Sequence, residues 1–204
     1  MKTISLVNVL NKFDRGWTDV NLLSGKKVSL PYGTSFGFIQ DNLLIILDGH
    51  HRGDSIKLAE GCHLIQLLGY KQLLTHQPIT IKYDSKNNKL IFQGDRVYTL
   101  IRPMRKILSV GKYRLELPRF PHKRLCKSVY LDESIGGSRF AETWFEIVPV
   151  YGKRVSSFLH YGEISDGCLT VSMKGNQKNI WTDIYLALIV NRLHSTFVAD
   201  LIAN

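Results

Sequence analysis

The 204-residue sequence predicts an α+β fold that is mainly β, with one helix near its C-terminal end. From residue 78 to residue 171, short runs rich in β-branched and aromatic residues alternate with turn residues, as they do in successive strands. An apolar stripe at helical spacing follows, formed by Ile180, Ile184 and Leu188. Residues 1–76 mix the two patterns. We therefore predict a mixed α/β N-terminal region over 1–76 and a second domain over 77–204.

The composition is that of a folded chain, since 44% of the residues are hydrophobic and 22% are charged. No apolar run approaches the length that crosses a membrane. The first apolar run is broken by Asn8 and no small-residue cleavage site follows, so we expect no signal peptide. The cysteines are odd in number and form no CxxC pair, which predicts free thiols. They are Cys62, Cys126 and Cys168.

The charge is strongly basic, with a formal net charge of +10. Most of the excess of Lys and Arg lies in residues 77–204. A surface with this excess attracts anionic partners. Peptides with free carboxylates and nucleic acids both meet that description.

In the N-terminal region the patterns predict a helix over residues 3–13, a turn at 31–33, a buried strand at 43–47 and a helix over 58–74. The polar stretch after the strand contains His50 and His51 near two aspartates, which could indicate a metal site. Neighbouring side chains on an extended chain point to opposite faces, however, and no HExxH-type spacing is present. We interpret the stretch as a polar loop and expect no metal and no cofactor.

The second domain begins with a predicted hairpin, whose strands at 79–83 and 89–92 flank a polar turn. The remaining predicted elements are, in chain order, strands at 97–101, 110–117, 143–149 and 155–160, a helix at 178–193 and a closing strand at 197–202. Two aromatic residues, Trp181 and Tyr185, lie beside the helical stripe and are interpreted as core side chains.

One stretch, residues 157–171, combines the residue types of nucleophilic catalysis. An apolar run leads to His160 and a glycine turn, and Cys168 follows a second glycine and opens another β-branched run. A strand that ends at His160 and another that begins at Cys168 would place imidazole and thiol side by side. The imidazole could then take the thiol proton, and nearby backbone amides could hold an oxyanion. A lone cysteine in an apolar run is usually a small buried residue, so the prediction depends on the whole combination.

Five residues carry a more specific pattern: His160, Gly162, Ser165, Gly167 and Cys168. This pattern resembles the active-site motif of the L,D-transpeptidases, cysteine enzymes that cut and rejoin peptidoglycan stem peptides. It is most similar to the compact motif of antibacterial effectors delivered by type VI secretion. Asp166 stands where the common family has histidine. The resemblance covers about residues 77–204 and implies an L,D-transpeptidase-like fold for them.

The resemblance also implies roles for these residues. Cys168 would attack a stem-peptide carbonyl, and His160 would accept the thiol proton and later protonate the leaving amine. The amides of Gly167 and Cys168 would hold the oxyanion. Gly162 and Gly167 would serve the turns that bring the two groups together, since glycine tolerates positive φ. Ser165 would orient the loop or the histidine.

Tyr161 and Asp166 are predicted to contact substrate. The acyl-enzyme could react with water, with a D-amino acid or with another stem peptide, and the motif does not choose among these outcomes. The implied partners are peptidoglycan stem peptides, an immunity protein and a component of a secretion apparatus. Synthesis in the cytoplasm and secretion into the periplasm of a target cell are expected.

Two other functions remain open from the sequence. The first is nucleic-acid binding, because a basic loop over residues 119–127 could bind phosphate and its Phe120 could stack on a base. No recognised nucleic-acid motif accompanies the loop, and we expect no nucleic-acid partner. A non-catalytic peptidoglycan-binding module is the second alternative. Residues 1–76 could pack beside the catalytic sheet, cover its cleft or dock onto a secretion apparatus.

Overall fold

The computed structural model describes residues 3–5, 15–40, 43–57, 79–92, 96–105, 108–154, 156–172, 179–190 and 195–204. The strands in these ranges are β1 Thr3–Ser5, β2 Trp17–Asn21, β3 Lys27–Pro31, β4 Ser35–Gln40, β5 Leu43–Ile46, β6 Ser55–Lys57, β7 Ile79–Asp84, β8 Lys89–Ile91, β9 Val97–Ile101, β10 Gly111–Glu116, β11 Phe145–Pro149, β12 Phe158–Gly162, β13 Leu169–Ser172 and β14 Phe197–Ala203. The helix α1 is Ile180–Val190. The prediction of a mainly β fold with a C-terminal helix is confirmed.

Strands β7 to β14 form a closed barrel in the order β10-β11-β12-β13-β9-β8-β7-β14, and β14 pairs with β10 to close it. The β12–β13 and β14–β7 pairs are parallel, whereas the other neighbours in the barrel are antiparallel. The predicted hairpin is present as β7 and β8. Its turn is stabilised by Asp84, whose carboxylate accepts hydrogen bonds from the backbone amides of Lys86 and Asn87.

The barrel strands and α1 share one hydrophobic core. The strands alternate inward apolar residues with outward polar ones, as the period of two predicts. Ile184 and Leu188 of α1 are fully buried in this core, and so are Trp181 and Tyr185, which confirms their interpretation as core side chains. Each such burial stabilises the fold by about 1.5–3 kcal/mol. No helix among the described residues is long and apolar enough to cross a membrane.

The described part of the N-terminal region is β, with a four-stranded sheet in the order β1-β4-β5-β6, a β2–β3 hairpin and a single-turn 3-10 helix at Gly49–His51. The buried strand predicted at 43–47 is present as β5. The helix predicted over 3–13 is wrong at its start, because Thr3–Ser5 pairs with β4 as a strand. Pairing with an existing strand edge outweighs a weak local helical preference there. Residues 6–14 and the helix predicted over 58–74 lie outside the described residues.

The N-terminal region packs beside the barrel. The Trp17 indole donates a hydrogen bond to the hydroxyl of Thr143 at 2.9 Å, and the Tyr185 hydroxyl of α1 donates to the carbonyl of Tyr32 at 2.9 Å. A Cβ on Gly33 would lie only 2.5 Å from Ile189 of α1, so the glycine permits this close approach. The described residues of 1–76 therefore pack against the barrel and α1, which is one of the three placements considered.

Candidate active site

The strands that carry the predicted catalytic residues are neighbours in the barrel. β12 and β13 run parallel, and His160 lies opposite Thr170 in their register. The prediction that the first strand ends at His160 is wrong, since the ladder continues to Gly162, which lies opposite Ser172. Gly162, predicted to serve a turn, is the last residue of β12, and its φ is not positive.

The connection between the two strands is only residues 163–168, short for a parallel pair, which usually needs a crossover of a dozen residues. Six extended residues span about 20 Å, and a five-residue strand is about 13 Å long. The loop returns from the level of Gly162 to that of Leu159 through bends at residues 163 and 166–168. Gly167, predicted to serve a turn, leads into β13 with a φ of +90°.

Strand alternation sets the direction of the imidazole. Leu159 and Tyr161 belong to the hydrophobic core, so His160 between them points to the opposite face of β12. Cys168 lies in the bend that directly precedes β13, and Leu169 after it is a core residue. Tyr161, which was predicted to contact substrate, is 1% exposed, and its hydroxyl donates to the carbonyl of Gly136.

The hydrogen bonds of His160 fix its tautomer. Nδ1 lies 3.1 Å from the carbonyl oxygen of Tyr161, which can only accept, so Nδ1 carries the proton. Nε2 is then the basic nitrogen, and it accepts a hydrogen bond from the hydroxyl of Thr170 at 3.0 Å. A neutral imidazole oriented in this way can serve as a general base.

The thiol of Cys168, one residue before β13, has hydrogen-bond partners of its own. Burial raises the pKa of Cys168, and hydrogen bonds with the backbone of Phe158 and the side chain of Ser157 offset part of this rise. The hydrogen bonds of the described residues do not include one between this thiol and His160. The hydroxyl of Thr170 occupies the basic nitrogen of His160 instead.

An aromatic cluster covers His160. The indole of Trp144 stacks on its imidazole with ring centroids 4.0 Å apart, and His122 stacks on the same indole at 5.0 Å. Phe158 contacts His122 edge-on at 5.3 Å, and Phe120 contacts it at 5.7 Å. The buried Nε1 of Trp144 has no hydrogen-bond partner among the described residues. This cluster, which we call the aromatic cover, leaves His160 only 5% exposed.

Burial under the aromatic cover lowers the pKa of His160 from the ordinary 6.5 to about 4, partly offset by the hydrogen bond to the Tyr161 carbonyl. Burial disfavours the charged imidazolium, which is why the shift is downward. His160 is therefore neutral at pH 7 and available to accept a proton. Burial lowers the pKa of His122 as well, so the aromatic cover is uncharged near neutrality.

This shift predicts a specific loss of stability in acid. Between pH 6.5 and about 4 the unfolded chain protonates His160 while the folded chain does not, so the free energy of unfolding falls with pH across this window. The shift corresponds to about 3 kcal/mol. Urea unfolding at pH 7 and pH 4 should show this extra loss in the wild type and not in His160→Gln. Equal losses in the two proteins would mean that His160 is not held neutral in the folded state.

Two loop residues near the thiol make different contacts. The hydroxyl of Ser165 is buried and donates to the carbonyl of Cys168 at 2.5 Å, so of the two roles predicted for it, orienting the loop is the one observed. Asp166 is exposed and pairs with Arg105, with Nε and Oδ1 3.0 Å apart. The amide of Met104 also donates to the carbonyl of Ser165 at 3.0 Å. These two contacts from the segment after β9 stabilise the loop between β12 and β13.

The other candidates are separate from this site. Cys126 is half-buried, and burial followed by the negative charge of Glu142 raises the pKa of its thiol to about 12. Cys62 lies outside the described residues. His50 and His51 face different partners, the carbonyl of Leu117 at 2.8 Å and the carboxylate of Asp54 at 3.2 Å.

The sequence did not indicate three of the residues that define the site. Trp144 appeared only as part of a strand run, His122 as part of a basic loop and Thr170 as a strand residue. The partnership of Thr170 with His160 follows directly once β12 and β13 are taken as parallel neighbours, but the short connection between them argues against that pairing. No local pattern indicates the stacking on Trp144, because its partners come from distant parts of the chain.

In comparisons with known proteins, no family model, no curated protein and no solved structure matches the chain.

Proposed function

We propose that this protein is a cysteine-dependent L,D-carboxypeptidase or L,D-transpeptidase that acts on peptidoglycan stem peptides, with Cys168 as nucleophile and His160 as base. One observation carries the proposal: a neutral imidazole with a defined basic nitrogen lies on β12, and the parallel neighbour of this strand, β13, begins directly after Cys168. The motif around them, from His160 to Cys168, resembles that of the L,D-transpeptidases. An anionic substrate agrees with the net charge of +10.

In this mechanism the sulfur of Cys168 bonds to the scissile carbonyl carbon while its proton passes to Nε2 of His160. The Thr170 hydroxyl, which occupies Nε2 in the resting protein, must yield for this transfer. The carbonyl oxygen becomes an oxyanion, for which the amides of Gly167 and Cys168 are the proposed donors. The carbon–nitrogen bond then breaks, and the imidazolium returns its proton to the leaving D-amino acid.

The resulting thioester is released by a second nucleophile. Water gives a carboxypeptidase, a D-amino acid gives exchange and the amine of another stem peptide gives a cross-link. In each case His160 takes the proton of the attacking group and the thiol is restored. The test is incubation of the purified protein with tetrapeptide muropeptides, followed by mass analysis for loss, exchange or joining of stems. Unchanged muropeptides under all three conditions would contradict the proposal.

We further propose that the protein is an antibacterial effector of type VI secretion that acts in the periplasm of a target cell, as the resemblance implies. Expression in a test bacterium should then be harmless in the cytosol and toxic when a periplasmic signal is added, because the substrate lies outside the inner membrane. Viable counts after induction measure both arms, with Cys168→Ala carrying the same signal as the control. Equal toxicity in the two compartments would point to a cytosolic target such as nucleic acid.

Asp166→Ala is expected to change the rate of stem-peptide turnover by less than about threefold. Its partner Arg105 is 78% exposed and Asp166 itself 56% exposed, so their ion pair contributes little to holding the loop. Initial rates with a tetrapeptide stem measure the effect, and Ser165→Ala is the comparison, since it removes a buried hydrogen bond to Cys168. A larger loss in Asp166→Ala than in Ser165→Ala would give Asp166 a direct role toward substrate.

A further inference from the structure

A cavity of about 760 Å³ lies where the β2–β3 hairpin, the Gly49–His51 turn and the start of the basic loop meet. Its volume is within the range of pockets that bind small molecules and short peptides. Its cationic side chains come from both parts of the chain, Lys26 and Lys27 from the hairpin and Arg119 from the barrel side. It is outside the candidate active site, and the proposed chemistry assigns it no role.

The charges of the cavity are only partly neutralised from within. The carboxylate of Asp19 accepts a hydrogen bond from Ser29 at 2.5 Å and pairs with Lys27 at 3.3 Å, and these contacts hold the pKa of Asp19 below its usual value. In the described part of the chain, Lys26 and Arg119 form no salt bridge. Two cations are therefore left to meet an anionic ligand.

The cavity also contains groups that accept hydrogen bonds. His50 donates from Nε2 to the carbonyl of Leu117, since a carbonyl only accepts, and its Nδ1 is then an acceptor in the neutral ring. Asp54, which pairs with His51 at 3.2 Å, is a second acceptor. A peptide with both carboxylates and an amine fits this combination, since the cations can bind its carboxylates and the acceptors can bind its amine. A polyphosphate fits less well, because the carboxylates of the cavity would repel its negative charges.

The wall of the cavity leads to the candidate active site. Phe120 lines the cavity and also contacts His122 in the aromatic cover, which in turn stacks on Trp144 above His160. A ligand in the cavity would thus be separated from the catalytic imidazole by a short series of stacked rings. An extended substrate could occupy both places at once.

We propose that this cavity binds the charged part of an anionic peptide, with Arg119 and Lys26 on its carboxylates and Asp54 on its amine. That this peptide is the stem peptide cleaved at Cys168 rests on the proposed function. The cavity would then distinguish stem peptides with free carboxylates and a free side-chain amine from those in which these groups are blocked.

The experiment is calorimetric titration of a synthetic tetrapeptide stem, with its carboxylates and side-chain amine free, into the full chain carrying Cys168→Ala, so that no turnover interferes. Adding Lys26→Gln and Arg119→Gln should raise Kd by about tenfold or more, because two charge-assisted contacts are lost. The matched control adds Lys112→Gln and Lys153→Gln, two exposed lysines elsewhere on the barrel domain, and should change Kd by less than about twofold. Acetylation of the side-chain amine should also weaken binding.

Equal affinity in the cavity variant and the control variant would overturn the proposal, and so would a failure of the parent protein to bind the peptide. Tighter binding of inorganic pyrophosphate or of a single-stranded oligonucleotide than of the peptide would make the cavity a phosphate site, which also overturns it. The proposed function is judged separately, by release of D-alanine from the same peptide by wild-type protein. Binding that depends on Arg119 and Lys26 without release of D-alanine would support the cavity proposal and contradict the proposed enzyme. Release with an unchanged KM in the Lys26→Gln/Arg119→Gln protein would support the enzyme and contradict the cavity proposal.

Discussion

Cys168→Ala is expected to abolish turnover of tetrapeptide stems, a loss of about a thousandfold or more. In the proposed mechanism the thiol forms the covalent intermediate, and the Ser157 and Ser165 hydroxyls beside it both donate to backbone carbonyls. Mass analysis of the products should show no D-alanine release, no exchange and no cross-linking. Incubation of wild-type protein with substrate should also trap a thioester, detected as an added mass on the peptide containing Cys168.

The matched control is Cys126→Ala. This residue is the other cysteine that the structure describes, it is similarly half-buried, and its thiol donates to the carbonyl of Lys127 at 3.7 Å. The pKa of its thiol is about 12, so it forms almost no thiolate at neutral pH, and we expect activity within about twofold of wild type. If Cys126→Ala loses activity while Cys168→Ala retains it, the nucleophile has been assigned to the wrong thiol.

His160→Gln is expected to lower kcat by about a hundredfold or more, the usual contribution of a general base. The amide can still meet the hydroxyl of Thr170, so the change removes basicity more than packing. His122→Gln is the comparison, because it removes the other imidazole stacked on Trp144 and leaves Nε2 of His160 in place. It should retain at least about ten times the activity of His160→Gln.

The same residue predicts the acid limb of the pH profile. Because the pKa of His160 is about 4, its base form persists well below the ordinary imidazole pKa of 6.5, and kcat/KM should fall only as the pH drops through about 4. Activity at pH 5.5 should therefore remain near its value at pH 7. A fall centred near 6.5 would mean that the catalytic imidazole is solvated, and that the aromatic cover opens during turnover.

Much of the fold could be predicted from local patterns. The hairpin of β7 and β8 followed from alternation around a polar turn, and the core face of α1 followed from Ile180, Ile184 and Leu188. These elements are specified by residues that are close together in the sequence, so a short stretch of sequence is enough to predict each of them. The start of the chain shows the limit of such windows, since Thr3–Ser5 became a strand through pairing with β4, more than thirty residues away.

The candidate site was predictable in only some of its members, and its geometry was not predictable. The motif indicated His160 and Cys168, yet the pattern could not reveal that their strands are parallel, because side-chain alternation is the same in either direction. The parallel register is what places Thr170 on the imidazole. Gly167 and Gly162 look alike in the sequence, but only Gly167 adopts a left-handed φ. Such differences depend on which segments meet in space.

The position of β14 has a consequence for how the protein is made. This strand lies between β10 and β7, although it follows both in the chain by more than eighty residues. During translation the barrel therefore stays open, with two unpaired edges, until the ribosome has released the segment up to Ala203. Exposed edges of this kind invite pairing with other chains, so nascent molecules depend on chaperones or on rapid completion. Loss of residues 197–203 would leave the facing edges of β10 and β7 unpaired again.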